Sequence, residues 1–173
     1  MADHITRYDK MPIPAIDAHT RFFEAGVIRI GVEYRVLTDD VVAAIRDTLE
    51  SAGGEESGKL ENLDDCGVSL HVYGNDEGLE REYLRFDCFN EEPHYHYVSW
   101  ASHTNDVLHI DPIADGDPLT WALERIRYRL PQMLARAEAH AVAAKIEPER
   151  IEAIMPRVME AAFAARYAEA AQN

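Results

Sequence analysis

The chain has 173 residues, of which 47% are hydrophobic and 28% are charged, and its formal net charge is −15. A chain of this length buries roughly 70% of its unfolded surface, and this composition excludes a disordered, collagen-like or disulfide-framed protein. The excess of acidic residues repels phosphate backbones and anionic lipids, so we expect neither nucleic acid nor membrane as a partner.

The N-terminal residues lack the apolar stretch of a secretory signal, and no apolar run approaches the about 20 residues that cross a bilayer. The two cysteines, Cys66 and Cys88, have no CxxC spacing, which favours free thiols in a reducing compartment. We therefore expect a cytoplasmic protein.

The first half of the chain predicts an arm, a strand and a helix. Residues 1–25 are expected to form an N-terminal arm, because prolines at 12 and 14 favour an extended chain. Residues 26–37 alternate between apolar and polar side chains, which predicts a half-buried strand. A helix capped at Thr38 or Asp39 follows, and Gly53-Gly54 ends it before an acidic loop.

The second half predicts an antiparallel meander followed by helices. Residues 67–73, 81–89 and 94–100 form three strands with short connections, and 107–110 is a candidate further strand. Asp117 is expected to cap a helix that has Pro118 at its first position. A second helix begins at Pro148, so that residues 117–170 form a helical hairpin.

This order of elements predicts the α+β class. We expect a mainly antiparallel sheet of four or five strands, with helices packed on one face and the hairpin at the C-terminus. One domain spans residues 1–173, with the sheet and one inserted helix in 26–111.

Alternation places a set of polar side chains on one face of the sheet. The predicted set comprises His71, Tyr73, Arg85, Asp87, His94 and His96, joined by Glu33 and Arg35 if the first strand pairs with the meander. Aromatic and apolar residues are expected beside them, which is typical of a pocket: Tyr73, Tyr83, Phe89, Val98 and Trp100.

The polar set contains metal-ligand chemistry. His94 and His96 are two residues apart on one strand, so their Cα atoms lie about 7 Å apart on the same face. The four-residue connection 90–93 predicts that Asp87 of the neighbouring strand lies opposite His96, where it supplies a carboxylate. Two histidines and one carboxylate leave a coordination position open for water or substrate. We therefore predict a divalent metal, zinc, iron or manganese, at Asp87, His94 and His96.

The remaining residues of the set receive catalytic or binding roles. His71 is predicted as an extra ligand or base, and Arg85 and Tyr73 as groups that orient an anionic substrate. Glu33, Arg35 and Trp100 are predicted to contact the substrate together with Arg85. The expected reaction is hydrolysis or hydration of a small anionic molecule by a metal-activated water. Without a metal, a His–Asp pair would transfer a proton on a small carboxylate.

Two other interpretations stay open at this point. The polar face is also compatible with solvent-exposed cross-strand pairs, worth about 0.2–1 kcal/mol each, that serve no chemistry. A non-catalytic protein is the second alternative. In it the arm, the acidic loop and the alanine-rich hairpin would contact a larger enzyme or a second copy in a homo-oligomer.

Overall fold

The protein is described here by a computed structural model that covers residues 5–37 and 65–170. One antiparallel sheet contains seven strands in the spatial order β1-β7-β6-β5-β4-β3-β2. The strands are β1 Ile5–Tyr8, β2 Thr20–Ala25, β3 Ile28–Val36, β4 Cys66–Asp76, β5 Leu79–Phe89, β6 His94–Ser99 and β7 Thr104–His109. The predicted α+β class is confirmed, but the sheet has seven strands where four or five were expected.

Three α-helices follow the sheet: α1 Pro118–Arg136, α2 His140–Ala143 and α3 Pro148–Ala170. The predicted start of α1 is confirmed, because the Asp117 side chain accepts from the Thr120 backbone N–H at 2.9 Å and Pro118 takes the first helical position. The short α2 lies between the two long helices, so the C-terminal region differs from a simple hairpin.

The two strands that the sequence did not predict come from the expected arm. β2 pairs with β3 through a turn at Gly26, whose φ of 65° suits glycine. β1 pairs with β7 at the edge of the sheet and is largely exposed, so it lacks the alternating apolar pattern that identifies a strand. The irregular part of the arm is thereby reduced to residues between β1 and a short 3-10 turn at Asp17–His19.

The predicted helix after Thr38 and the acidic loop after Gly53-Gly54 lie outside the described residues. Within 5–37 and 65–170, no helix has the length and apolarity needed to span a bilayer.

The main core lies between the helices and one face of the sheet. α1 packs on β5 and β6, and α3 packs on β2, β3 and β4. Apolar residues at every second strand position meet the apolar stripes of the helices, and many of them are fully buried: Ile30, Leu70, Val72, Leu84, Phe86, Ile126, Leu134 and Val158. The polar residues that alternate with them therefore face the opposite side of the sheet.

A β-bulge in the β4–β5 pair changes which residues of β5 reach the polar face. The register shifts between Val72 and Tyr73, so that Tyr73 pairs with Glu82. The prediction that Tyr83 lies on the polar face is wrong, because Tyr83 belongs to the hydrophobic core. Glu82 takes its place on the polar face, where it contacts His71.

The packing of α1 on the sheet predicts that truncating a buried isoleucine lowers the free energy of unfolding far more than truncating an exposed one. Ile126 is fully buried, whereas Ile113 is 94% exposed. We expect Ile126→Ala to lower the free energy of unfolding by about 2–5 kcal/mol through lost burial and the resulting cavity. Ile113→Ala should change it by less than about 0.5 kcal/mol. Urea unfolding of both variants tests this, and equal effects would contradict the described position of α1.

Candidate functional site

The three predicted metal ligands come together at the β5–β6 hairpin. Asp87 lies directly opposite His94, and Arg85 lies opposite His96. The sequence predicted Asp87 opposite His96, a displacement of two residues, which leaves each side chain on its expected face. One donor atom from each of Asp87, His94 and His96 lies within 4.8 Å of the others. This buried group could hold a metal ion.

The two imidazole rings point at the same carboxylate oxygen. The Nε2 atom of His94 is 3.3 Å from Oδ2 of Asp87, and that of His96 is 3.2 Å away. Asp87 and His96 are buried, while the His94 side chain is 20% exposed. Solvent therefore reaches the group from the His94 side.

The outer nitrogens of both rings are fixed by acceptors. Nδ1 of His94 lies 2.7 Å from the Glu92 carbonyl oxygen, and Nδ1 of His96 lies 2.8 Å from Oδ1 of Asn105. Because these partners can only accept, each Nδ1 carries the hydrogen. In a neutral ring the Nε2 lone pair then points at Asp87, so two lone pairs and one anionic oxygen converge. Such convergence requires a proton or a cation between the atoms.

The carboxylate itself is held by a neighbouring strand. The Ser69 hydroxyl of β4 donates to Oδ1 of Asp87 at 2.5 Å, which leaves Oδ2 for the histidines. Burial opposes ionisation of Asp87, but the interactions with His94 and His96 outweigh burial and hold its pKa well below the usual range. Asp87 is therefore an anion at neutral pH.

The two histidines differ in their proton affinity. Burial lowers the pKa of His96, and this effect exceeds the stabilisation that Asp87 provides. Burial also acts on His94, but there the hydrogen bond to Asp87 prevails and the pKa is raised. One imidazole of the pair is thus readily available as a neutral ligand.

A second buried cluster lies beside this group on the same face. His71 stands between two carboxylates, with Nε2 3.0 Å from Glu33 and Nδ1 2.7 Å from Glu82. Arg85 makes two hydrogen bonds to Glu82, at 2.9 and 2.7 Å, and Arg35 lies 3.2 Å from Glu33. All five side chains are buried. Because both ring nitrogens of His71 face carboxylates, the geometry favours an imidazolium.

Residues of the N-terminal arm cover this second cluster. The Arg85 guanidinium donates to the Ile13 carbonyl at 2.5 Å, and that of Arg35 donates to the Pro14 carbonyl at 2.9 Å. The Ile16 N–H donates to Glu33 at 3.4 Å. The described helices pack on the other face, so it is the arm that closes the polar face here.

The predicted catalytic and substrate-binding residues are thus placed in two environments. His71, Arg85, Glu33 and Arg35 are buried together under the arm. Tyr73 is half-buried with its ring 6.2 Å from that of His71, and burial raises its pKa. The Trp100 indole donates to the Glu82 carbonyl at 2.9 Å and packs against the core. Their roles in catalysis or binding stay predictions, and these contacts favour structural roles.

Several residues that shape the site carried no signal in the sequence. Glu82 reaches the polar face only through the bulge, which simple alternation does not anticipate. Asn105 belongs to β7, which begins three residues earlier than predicted. Glu92 acts through its backbone carbonyl, a role that is independent of its side chain.

The comparisons with known proteins identify a family without an assigned activity. The chain belongs to the family described as "Domain of unknown function (DUF7700)", whose model matches residues 22–162. The matched region contains both clusters of the polar face. No curated protein and no solved structure matches the chain.

The cluster around His71 predicts a pH-dependent contribution to stability. Burial lowers the pKa of His71, but the hydrogen bonds that its ring donates to Glu33 and Glu82 outweigh burial and raise the pKa above the ordinary 6.5. The contribution is therefore complete below about pH 6.5 and is lost as pH rises through the raised pKa.

We expect His71→Asn to cost about 1.5–3 kcal/mol at pH 6, because two buried carboxylates each lose one charged partner while Arg35 and Arg85 still face them. The difference from wild type should shrink as the pH rises to 9. Denaturant unfolding at several pH values measures it, with His140→Asn as a control on the exposed side of α2. A difference that grew with pH would show that His71 is neutral in the folded protein.

Proposed function

We propose that the protein binds a divalent metal at Asp87, His94 and His96, and that the metal activates a water for hydrolysis or hydration of a small anionic molecule. The observation that carries this proposal is the convergence of both Nε2 atoms on Oδ2 of Asp87, with each Nδ1 already engaged elsewhere. Metal-ligating histidines usually donate their outer N–H to a carbonyl or carboxylate in this way.

The distances support a metal. If a tetrahedral ion has ligand bonds of about 2.0–2.1 Å, neighbouring donor atoms lie roughly 3.3 Å apart. The distances from Oδ2 to the two Nε2 atoms are 3.2 and 3.3 Å. A single shared proton could bridge only one of these two pairs at a time, whereas a cation could bind one donor atom from each of the three residues, since these atoms lie within 4.8 Å of one another.

Two imidazoles and one carboxylate are suited to zinc or iron, with manganese as a further possibility. Three protein ligands leave at least one position for water, and the exposed side of His94 supplies the access. A metal such as zinc brings the pKa of bound water near 7, which generates hydroxide at neutral pH. The proposed reaction class follows from this nucleophile.

The anionic substrate class is supported by Arg85. Its guanidinium is buried next to the site, and its positive charge adds to the lowering of the pKa of Asp87 by the two histidines. The electrostatic potential at the metal position is therefore more positive than it would be with the Asp87 carboxylate alone. An anionic group that approaches from the His94 side would bind the metal and would experience Arg85 only through its electrostatic field, because that guanidinium is buried and bonded to Glu82.

Metal analysis tests the first half of the proposal. We expect the protein purified without chelator to contain close to one equivalent of zinc, iron or manganese, or to take up one equivalent when these ions are added. The double variant His94→Ala/His96→Ala should bind none, because two of three ligands are gone. Elemental analysis after gel filtration provides the measurement.

His140→Ala is the matched control, because His140 is exposed on α2 and should leave the metal content unchanged. Failure of the parent protein to retain any of the three ions would contradict the proposal. The Asp–His–His group would then be a proton-bridged structural cluster, in keeping with the alternative of a non-catalytic subunit.

Activity assays test the second half. We expect the metal-loaded wild type to accelerate hydrolysis of anionic esters such as p-nitrophenyl phosphate over the uncatalysed rate by a larger factor than hydrolysis of neutral p-nitrophenyl acetate. The loss in the double variant should be at least roughly 100-fold, the size expected when an electrostatic catalytic group is removed. A metal-loaded protein with no metal-dependent turnover of any of these compounds would leave binding without catalysis and overturn the enzymatic half.

A further inference from the structure

A buried carboxylate outside the metal group organises the turn between β5 and β6. Oδ1 of Asp65 accepts from the backbone N–H groups of Cys66 at 2.8 Å and of Asn90 and Glu91 at 3.1 Å. Its Oδ2 accepts from the N–H of Glu92 at 2.9 Å. The residue is 6% exposed. Three successive N–H groups of the turn thus enclose one carboxylate, as in an anion-binding nest.

Asp65 is itself fixed by the ends of two other strands. Its carbonyl accepts from the N–H of Leu37, the residue that follows β3, at 2.9 Å. Its side chain lies at the start of β4, and the next residue, Cys66, accepts from the N–H of Asn90 at 3.0 Å. The carboxylate therefore ties the β5–β6 turn to the β3 and β4 ends of the sheet.

The β5–β6 turn orients His94, one of the proposed metal ligands. Glu92 donates its N–H to Asp65 and accepts from Nδ1 of His94 through its carbonyl, at 2.7 Å. The path from Asp65 to the site contains a single residue of backbone. Because the Glu92 carbonyl holds the hydrogen of His94 on Nδ1, it also aims Nε2 at Asp87.

We propose that Asp65 is a positioning residue for the metal site: by holding the N–H of Glu92 it keeps the Glu92 carbonyl where it fixes the ring of His94. This inference rests on the proposed metal function. It assigns to Asp65 an effect on metal affinity although the residue makes no contact with Asp87, His94 or His96 in the described geometry.

Other contacts hold the two ends of the turn, since the Asn90 N–H donates to the Cys66 carbonyl at 3.0 Å and the Pro93 carbonyl accepts from the Ile110 N–H at 2.9 Å. Among the described residues, Asp65 is the acceptor for the N–H groups of Glu91 and Glu92 between those ends. Without the carboxylate, the N–H groups of Glu91 and Glu92 would lose their described acceptor and turn toward water. The Glu92 N–H belongs to the Glu91–Glu92 peptide group and the Glu92 carbonyl to the Glu92–Pro93 group, so the two are coupled through the backbone angles of Glu92, which Pro93 restricts to extended values. A rotation of the Glu91–Glu92 group would therefore shift the Glu92 carbonyl and weaken its hold on the His94 ring.

Asp65→Asn is the most specific test of the positioning role, because it preserves the size of the side chain while replacing one carboxylate oxygen by an NH₂ group. An amide oxygen in the Oδ1 position keeps three of the four hydrogen bonds, and the amide nitrogen then faces the N–H of Glu92 as a second donor. We expect about tenfold weaker zinc binding, the lower end of the 10–100-fold range for outer-shell partners. Competition with a chromophoric chelator measures the affinity.

Two comparison variants separate positioning from general destabilisation. Asn105→Leu removes the direct partner of His96 and sets the scale for an outer-shell loss. Asp106→Asn removes a buried carboxylate of β7 that pairs with Arg7 at 2.7 and 2.9 Å, away from the turn. Zinc affinity should fall for Asn105→Leu and Asp65→Asn and stay within about twofold of wild type for Asp106→Asn.

The visible spectrum of the cobalt-substituted protein supplies a readout that stability alone would not move. A reoriented His94 should change the ligand-field bands of Asp65→Asn, while those of Asp106→Asn match wild type. If Asp65→Asn is not folded, Asp65→Glu, which keeps the charge but displaces both oxygens, takes its place with the same readouts.

The outcomes distinguish the two proposals. A parent protein that binds no metal overturns both the metal function and the role of Asp65. A parent that binds zinc, with Asp65→Asn indistinguishable from it in affinity and cobalt spectrum, overturns the positioning role and leaves the metal function intact.

Discussion

The charge of Asp87 is the constraint around which the polar face is arranged. The carboxylate is buried in the middle of a seven-stranded sheet, where an uncompensated charge would cost several kcal/mol. Ser69 satisfies one oxygen from β4, and the histidines of β6 face the other. Three adjacent strands therefore meet at one side chain, and a one-residue change in their register would leave that charge unpartnered.

Because side chains alternate along each strand, the two faces of the sheet carry different residues and are covered by different parts of the chain. On one face, apolar residues pack against α1 and α3 and provide most of the burial that drives folding. On the other face, charged residues are covered by the irregular arm, whose backbone carbonyls accept from Arg35 and Arg85. The arm is suited to this because it forms no ladder there, so its carbonyls are free to receive side-chain donors.

Whether a register displacement is an even or an odd number of residues determines how much of the site could be predicted from the sequence. The predicted pairing of β5 with β6 was displaced by two residues, and an even displacement keeps Asp87, His94 and His96 on one face. The bulge at Val72 and Tyr73 is a displacement of one, and it exchanges Tyr83 for Glu82. Alternation therefore predicts a face correctly until a bulge intervenes, and no local pattern of residues 81–83 announces one.

The sequence likewise predicted only part of the fold, namely the inner strands and the start of α1 but not β1 and β2. β3 to β6 have alternating or strongly apolar sequences, and the start of α1 has a capping aspartate and a proline, so local chemistry is sufficient to predict them. β1 and β2 depend on their partners in the sheet. β1 is largely exposed and pairs with β7 through backbone hydrogen bonds, a tertiary interaction that its own four residues do not encode.

The same distinction applies to the turn that contains Glu92. Its side chain carries no information about the site, because the groups that matter are its backbone N–H and carbonyl. Asp65 is 27 residues away in sequence from Glu92, and the contact exists only because β4 and β5 pair in register. Histidine spacing indicates the candidate ligands, whereas the groups that orient them, the Glu92 carbonyl and the Asn105 side chain, are positioned by sheet pairing. Affinity depends on both, since a donor atom held off its bonding direction contributes less than one that is already aimed.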